Sequence, residues 1–141
     1  MLSPKKVKHR KTMKRLRRLD GVESRGCTLE FGEYGLRTLD AGWINAREIE
    51  AARVAISREL KRGGKMWIRI FPDHPLTMKP AETRQGSGKG APEKWVAEVR
   101  PGRVMYEVTG VSEAIAKVAL ARAAAKMSVR SEFIKRRETL M

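Results

Sequence analysis

The first nineteen residues carry nine cations, Lys5, Lys6, Lys8, Arg10, Lys11, Lys14, Arg15, Arg17 and Arg18, and no acid appears before Asp20. The apolar residues Val7, Met13, Leu16 and Leu19 are too sparse to offset the entropy of ordering such a segment. The free chain is therefore expected to begin with a mobile basic arm over residues 1–26. That leaves one ordinary domain's worth of sequence, expected over 27–128 and followed by a basic segment over 129–141.

The arm supplies +9 of the +15 formal net charge, which comes from 31 Lys and Arg against 16 Asp and Glu with a pI near 10.6. Uncompensated charge of this size repels itself in a compact protein and signals an anionic partner. A membrane-spanning role is excluded by pattern, because no apolar run approaches the roughly 18 residues needed to cross a bilayer. The basic start has no apolar stretch behind it, so no export signal is visible. One cysteine, Cys27, cannot form an internal disulfide, and His9 and His74 add too few ligands for a structural zinc site, so no metal and no cofactor is expected. A reducing, intracellular setting follows from the same count.

From Cys27 the pattern is that of a folded body. Cys27, Leu29 and Phe31 alternate with Thr28 and Glu30 as in a half-buried strand, which would turn Cys27 to the core. A helix is predicted from Ala46 to Arg62, with Asn45 as N-cap and Glu48 three residues on. Ile49, Ala52, Ile56 and Leu60 share one side of it, and Arg47, Arg58, Lys61 and Arg62 gather opposite. After Gly63-Gly64, the text Lys65 to Phe71 reads as a strand whose Lys65, Trp67, Arg69 and Phe71 side mixes aromatics with cations. That mixture suits base stacking, but packing is the commoner use of aromatics in a strand.

Pro72 to Pro92, with four prolines and Gly86, Gly88 and Gly90, is expected to be a long loop, a length that usually marks function or disorder. Trp95 to Arg100 and Arg103 to Val108 read as a hairpin around a type II turn at Pro101-Gly102. Ser112 can cap a second, alanine-rich helix through Lys126. The whole is of the α+β class: a compact mixed sheet with two packed helices, a long Pro/Gly-rich loop and a basic N-terminal extension.

Motifs for catalysis fail. Arg84-Gln85-Gly86-Ser87-Gly88-Lys89-Gly90 lacks the Walker spacing and has Gly90 where Ser or Thr would hold magnesium, and it is not the GxGxxG of a dinucleotide fold. Gly32-Glu33-Tyr34-Gly35 matches the letters of a KH loop, but between strands and with an acid. No histidine stands in a context that assembles a nucleophile, base and orienting group, so no catalytic residue and no enzyme class is predicted.

The opening Met1-Leu2-Ser3-Pro4-Lys5-Lys6-Val7-Lys8-His9-Arg10-Lys11, the helix text Arg47-Glu48-Ile49-Glu50-Ala51-Ala52-Arg53, the strand text Gly63-Gly64-Lys65-Met66-Trp67-Ile68-Arg69-Ile70-Phe71-Pro72-Asp73, and Lys79-Pro80-Ala81-Glu82-Thr83-Arg84 with Gly86-Ser87-Gly88-Lys89-Gly90 together resemble the bacterial large-subunit ribosomal protein L-sixteen family. The resemblance continues through Trp95-Val96-Ala97 and Pro101-Gly102-Arg103-Val104. It implies an α+β domain embedded in large-subunit ribosomal RNA near the peptidyl transferase centre, in a cytoplasmic or organellar ribosome, where the chemistry belongs to RNA.

On that resemblance, Lys5, Lys6, Lys8, Arg10, Lys11, Lys14, Arg15, Arg17, Arg18, Arg47, Arg58, Lys61 and Arg62 are expected to meet ribosomal RNA. Lys79, Arg84, Gln85, Gly86, Ser87, Gly88, Lys89 and Gly90 form the loop expected to approach transfer RNA. Arg84 matches an arginine that is hydroxylated in some members, whereas Gln85 and Ser87 depart from the methionine and lysine common there. Expected partners are ribosomal RNA, transfer RNA and neighbouring large-subunit proteins, with no membrane and no homo-oligomer.

Overall fold

The computed structural model describes residues 1–14, 16–86 and 88–137. Arg15 and Ser87 therefore lie outside the described residues, as do the side chain of Arg18 and the last four residues of the C-terminal segment.

Among the described residues a short 3-10 turn (Leu16–Leu19) precedes seven strands and two α-helices, which follow one another as β1 (Tyr34–Thr38), β2 (Gly42–Asn45), α1 (Ala46–Leu60), β3 (Lys65–Ile68), β4 (His74–Met78), β5 (Ala91–Val99), β6 (Val104–Thr109), α2 (Glu113–Ala124) and β7 (Ser131–Lys135). The fold is α+β as expected, with its strands divided between two sheets. A four-stranded sheet runs β3-β6-β1-β7 and a three-stranded one runs β2-β5-β4. Every pairing is antiparallel.

Helix α1 forms as its sequence dictates. Asn45 Oδ1 accepts from the Glu48 amide at 2.9 Å while the Glu48 carboxylate accepts from the Asn45 amide at 3.1 Å, a reciprocal cap worth about 1 kcal/mol. Ile49, Ala52, Ile56 and Leu60 are its buried residues. They meet α2, where Ala116, Ala119, Leu120 and Ala123 are buried. The alanines of α2 thus serve chiefly to bring two helices close. Tyr106 reaches the same core from β6, and its hydroxyl donates to the Ile49 carbonyl at 2.7 Å. Burial pushes that phenol's pKa up, so it stays a donor.

Three expectations need correction. Residues 27–31 are not a strand: the amides of Glu30, Phe31 and Gly32 donate to the Glu107 carboxylate at 2.7, 3.1 and 3.3 Å, which takes them away from any ladder. Cys27 is half-buried rather than in the core, with Sγ 3.8 Å from the Ser24 carbonyl, and Phe31 is exposed. Second, the supposed loop 72–92 contains β4, so the irregular part shrinks to 79–90. Pro75 is tolerated because β4 is an edge strand, where a missing N–H breaks no second ladder.

Third, the two stretches around Pro101-Gly102 do not pair with each other. The turn forms, with Gly102 at φ +99° and the Arg103 amide donating to the Arg100 carbonyl at 3.2 Å. However, β5 lies in one sheet and β6 in the other, so the turn is a corner between layers. Buried Thr38 clamps that corner, its hydroxyl donating to the Arg100 carbonyl at 2.8 Å and its amide to the Arg103 carbonyl at 2.8 Å.

The strand predicted to Phe71 ends at Ile68, although the Arg69 amide still donates to the Met105 carbonyl. Strand β7 was not anticipated. It pairs with β1 in register from Tyr34↔Lys135 to Thr38↔Ser131.

Candidate RNA interface

The leader is laid along the smaller sheet. Leu2 packs against the core, and Met1, Leu2 and Ser3 wall a cleft of about 470 Å³ with Arg47 from α1 and Met78, Glu93, Lys94 and Trp95 from β4 and β5. The chain start is thereby brought to the first turn of α1, and Arg47 joins the leader's surface. Further along, the Thr12 hydroxyl lies 3.4 Å from His74 Nδ1, which is itself 3.2 Å from a Glu98 oxygen. His74 is buried and its ring stacks on Trp43 at 6.1 Å, so it anchors the leader rather than facing a substrate.

Leader and loop also grip each other. Lys11 Nζ donates to the Lys89 carbonyl at 3.0 Å, and Lys89 Nζ donates back to the Thr12 carbonyl. Lys79 Nζ donates to the Gly86 carbonyl at 2.6 Å across the base of the loop. At the tip, Gly86 and Gly88 take φ of +101° and +88°, conformations that L side chains resist. Arg84 and Gln85 are exposed. Gly90, by contrast, is needed for space, since a Cβ there would sit 2.6 Å from the Met78 carbonyl oxygen.

The remaining predicted cations form a second surface. Arg58, Lys61 and Arg62 line a groove of about 370 Å³ with Arg53, Val54 and Ser57 on α1. Lys61 and Arg62 stand at positive φ, +48° and +65°, where the helix ends and Gly63 donates its amide to the Leu60 carbonyl. Among the described residues no hydrogen bond joins this groove to the leader or loop.

What unites these surfaces is that the cations expected to meet RNA form no ion pair there. Among the described side chains, Lys5, Lys6, Lys8, Arg10, Lys11, Lys14, Arg17, Arg47, Arg58, Lys61, Arg62, Lys79, Arg84 and Lys89 form no ion pair. Lys11, Lys79 and Lys89 find only backbone carbonyls. Several other cations are answered by acids: Arg37 by Glu132, Arg53 by Glu50, Arg69 by Glu107, Arg122 by Glu59 and Arg130 by Asp40. The guanidiniums beside Glu50 and Asp40 hold those carboxyls below their ordinary range.

An arrangement of unpaired cations on a leader, a helix face and a glycine loop can neutralise phosphates but supplies no reaction centre. Among the described residues no group of His, Cys, Asp and Glu is placed to hold a metal ion. His9 is exposed and well apart in sequence and setting from buried His74. A family model described as ribosomal protein L16p/L10e matches residues 4–134, nearly the whole chain. The chain belongs to the ribosomal protein L16p/L10e family. As an L16p/L10e protein it is a structural constituent of the large ribosomal subunit, cytoplasmic or organellar, and binds large-subunit ribosomal RNA beside neighbouring ribosomal proteins. This is a structural, non-enzymatic family. Among the described residues no helix is long and apolar enough to cross a membrane.

Two groups of residues escaped the sequence reading. Lys94 joins the cleft beside Arg47, a placement set by the β4–β5 pairing and invisible in a one-dimensional pattern. Lys135, Arg136 and Arg137 line a third cleft with Glu33, Tyr34 and Glu113, held there by the Arg136 amide donating to the Glu33 carbonyl at 2.8 Å. Their charge was visible, but only β7 pairing reveals where it goes.

Proposed function

We propose that the leader, the outward face of α1 and the 79–90 loop of this L16p/L10e protein each neutralise phosphates of large-subunit ribosomal RNA, and that the loop tip from Arg84 to Gly90 helps to place aminoacyl-tRNA near the peptidyl transferase centre. The observation that carries the first part is a concentration of free cations: on these three surfaces Lys5, Lys6, Lys8, Arg10, Lys14, Arg17, Arg47, Arg58, Lys61, Arg62 and Arg84 form no ion pair among the described residues, whereas Arg37, Arg69, Arg122 and Arg130 of the body do. The second part is supported by the family resemblance of the loop text and by a tip whose glycines leave its backbone open to close approach.

The mechanism is electrostatic positioning. If about eight phosphates are met, log–log affinity falls with salt at a slope near −6 to −7, taking roughly −0.9 per phosphate for duplex and −0.7 for single strands. Recognition is mainly of RNA shape, because the A-form major groove is too narrow to admit a helix such as α1. No cofactor takes part, and one copy acts per subunit.

Deleting Gln85 to Lys89 tests the loop. Large subunits are expected to assemble and retain the chain in high salt, while aminoacyl-tRNA placement is impaired. Unchanged translation with the deleted loop would remove the tRNA role. Loss of the full-length chain from salt-washed subunits would remove the RNA-embedding role.

A further inference from the structure

We propose that Phe31, seated on Trp67 and Arg69, is a stacking platform for one unpaired RNA base, an inference that rests on the reading of the chain as RNA-embedded. Trp67, Glu107 and Gly35 stand in register across the four-stranded sheet. Residues 28–33 cross over this row without secondary structure of their own. Leu29 fits because residue 35 is glycine: a Cβ there would lie 2.4 Å from Leu29 Cδ2.

What fixes the crossing segment is a buried charge. Glu107 has 0% exposure, and one oxygen accepts three successive amides, from Glu30, Phe31 and Gly32. The other oxygen accepts from Arg69 Nη1 at 2.5 Å. Two further bonds tie in the neighbours: Arg103 donates to the carbonyls of both Arg25 and Arg69 at 3.2 Å. Glu107 answers Arg69 and three backbone amides at once, so the network fixes where the crossing segment lies.

What it positions is an exposed ring. Phe31 is 54% exposed, its centroid 5.9 Å from the Trp67 ring at 24° and 5.0 Å from Arg69 Cζ. Trp67 and Arg69 are two residues apart on an extended segment, and both approach the ring. Just over half of Phe31 still meets solvent. Lys65, its ammonium 5.1 Å from the Trp67 ring centroid, and exposed Arg25 pair with no acid among the described residues. The rim carboxylate of Glu30 is 3.7 Å from Arg69.

A half-exposed aromatic ring stacked on Trp67, which the unpaired Lys65 also meets, matches a nucleotide, which offers a base to stack and a phosphate to neutralise. A protein partner of ordinary affinity would ask for about 800 Å² per side, far more than one ring supplies. The sequence motif of alternating aromatics and cations at 65–71 is thus completed by a residue from outside it.

The full chain is titrated with an unstructured RNA octamer and, separately, with an RNA duplex carrying the same number of phosphates. Phe31→Leu, which keeps an apolar cover on Trp67, is expected to weaken octamer binding about tenfold and leave duplex binding unchanged, with Phe31→Tyr matching wild type on both. Equal octamer affinity for Phe31→Leu and wild type, with duplex binding intact, removes the platform alone. A parallel loss on both RNAs makes Phe31 a structural residue and also overturns the platform. If wild type binds neither RNA, the underlying reading of the cationic surfaces fails and takes the platform with it. In large subunits carrying Phe31→Leu, an unpaired nucleotide gaining reactivity to base-modifying reagents supports the proposal. Unchanged nucleotides together with loss of a neighbouring ribosomal protein would assign the surface to protein instead.

Discussion

The leader and the larger sheet use arginine and lysine in opposite ways. On the sheet, Arg37 crosses from β1 to Glu132 on β7, its partner in register, and Arg130 forks onto both Asp40 oxygens at 2.9 Å to close the same strand's entry. In the leader, Lys5, Lys6, Lys8, Arg10, Lys14 and Arg17 have no partner among the described residues. A fold that needed those charges for itself would supply carboxylates for them, as it does at Glu107, Glu132 and Asp40. On the proposed reading, the difference teaches that stability and RNA affinity reside in different side chains and are separable by substitution.

The largest effect expected from that separation concerns affinity. Replacing Lys5, Lys6, Lys8, Arg10, Lys14 and Arg17 by Gln is expected to make the salt dependence of binding to large-subunit RNA shallower by about 4 to 5, if each cation meets one phosphate at roughly 0.7–0.9 apiece. Thermal unfolding of the free protein is expected to stay where it was, because these side chains bond to nothing in it. A matching loss of stability would break the comparison.

Next comes the reverse case. Glu107→Ala leaves Arg69, 13% exposed, and three backbone amides without their acceptor, and is expected to cost about 3–5 kcal/mol in urea unfolding. Burial pushes the Glu107 carboxyl up, but Arg69 and the amides of Phe31, Gly32 and Glu30 outweigh it and hold it below the ordinary carboxylate range. Its pKa is thus lower folded than unfolded. The contribution is complete above the unfolded value and is lost as pH falls through the folded one. Glu107→Gln is expected to flatten the stability curve in that acid window, and an unchanged acid limb would show that other carboxylates govern it.

A third, smaller effect tests the seat of the crossing segment. Gly35→Ala places a Cβ against Leu29 Cδ2 and 2.9 Å from the Tyr106 carbonyl oxygen, an overpacking expected to cost about 1–3 kcal/mol. Adding Leu29→Ala is expected to recover part of that loss by removing the first clash. Additive destabilisation in the double variant would mean that the two residues do not meet.

These residues also mark how far the sequence could be read. Helix α1 was legible because its cap, its period and its Gly63-Gly64 stop are all local, and Asn45 and Glu48 bond as their spacing predicts. The Pro101-Gly102 turn was equally local, yet its flanking strands join different sheets, and alternation does not say which neighbour a strand chooses. Residues 27–31 misled for a related reason: their amides are claimed by a carboxylate more than seventy positions away. Strand β4 was hidden because Pro75 and its proline-rich surroundings resemble a loop, and only the edge position makes it a strand. The candidate cations could be named from charge runs alone. Which of them lack acids needed the fold.

The smallest expected effect gives the most discriminating test, because it compares two exposed arginines on the two kinds of surface. Arg130 is 79% exposed and forks onto Asp40, whereas Arg58 is exposed on α1 with no acid opposite. An exposed ion pair adds little to stability, so Arg130→Gln is expected to move the unfolding temperature only marginally and to leave RNA affinity and its salt slope unchanged. Arg58→Gln, removing the same charge, is expected to leave stability untouched while making the salt slope shallower by about one. Both proteins lose one unit of net charge, so a general attraction between a basic protein and an acidic polymer predicts equal weakening. Unequal slopes in the stated direction mean that RNA is held by the particular cations left without carboxylates, and equal slopes mean that only total charge matters.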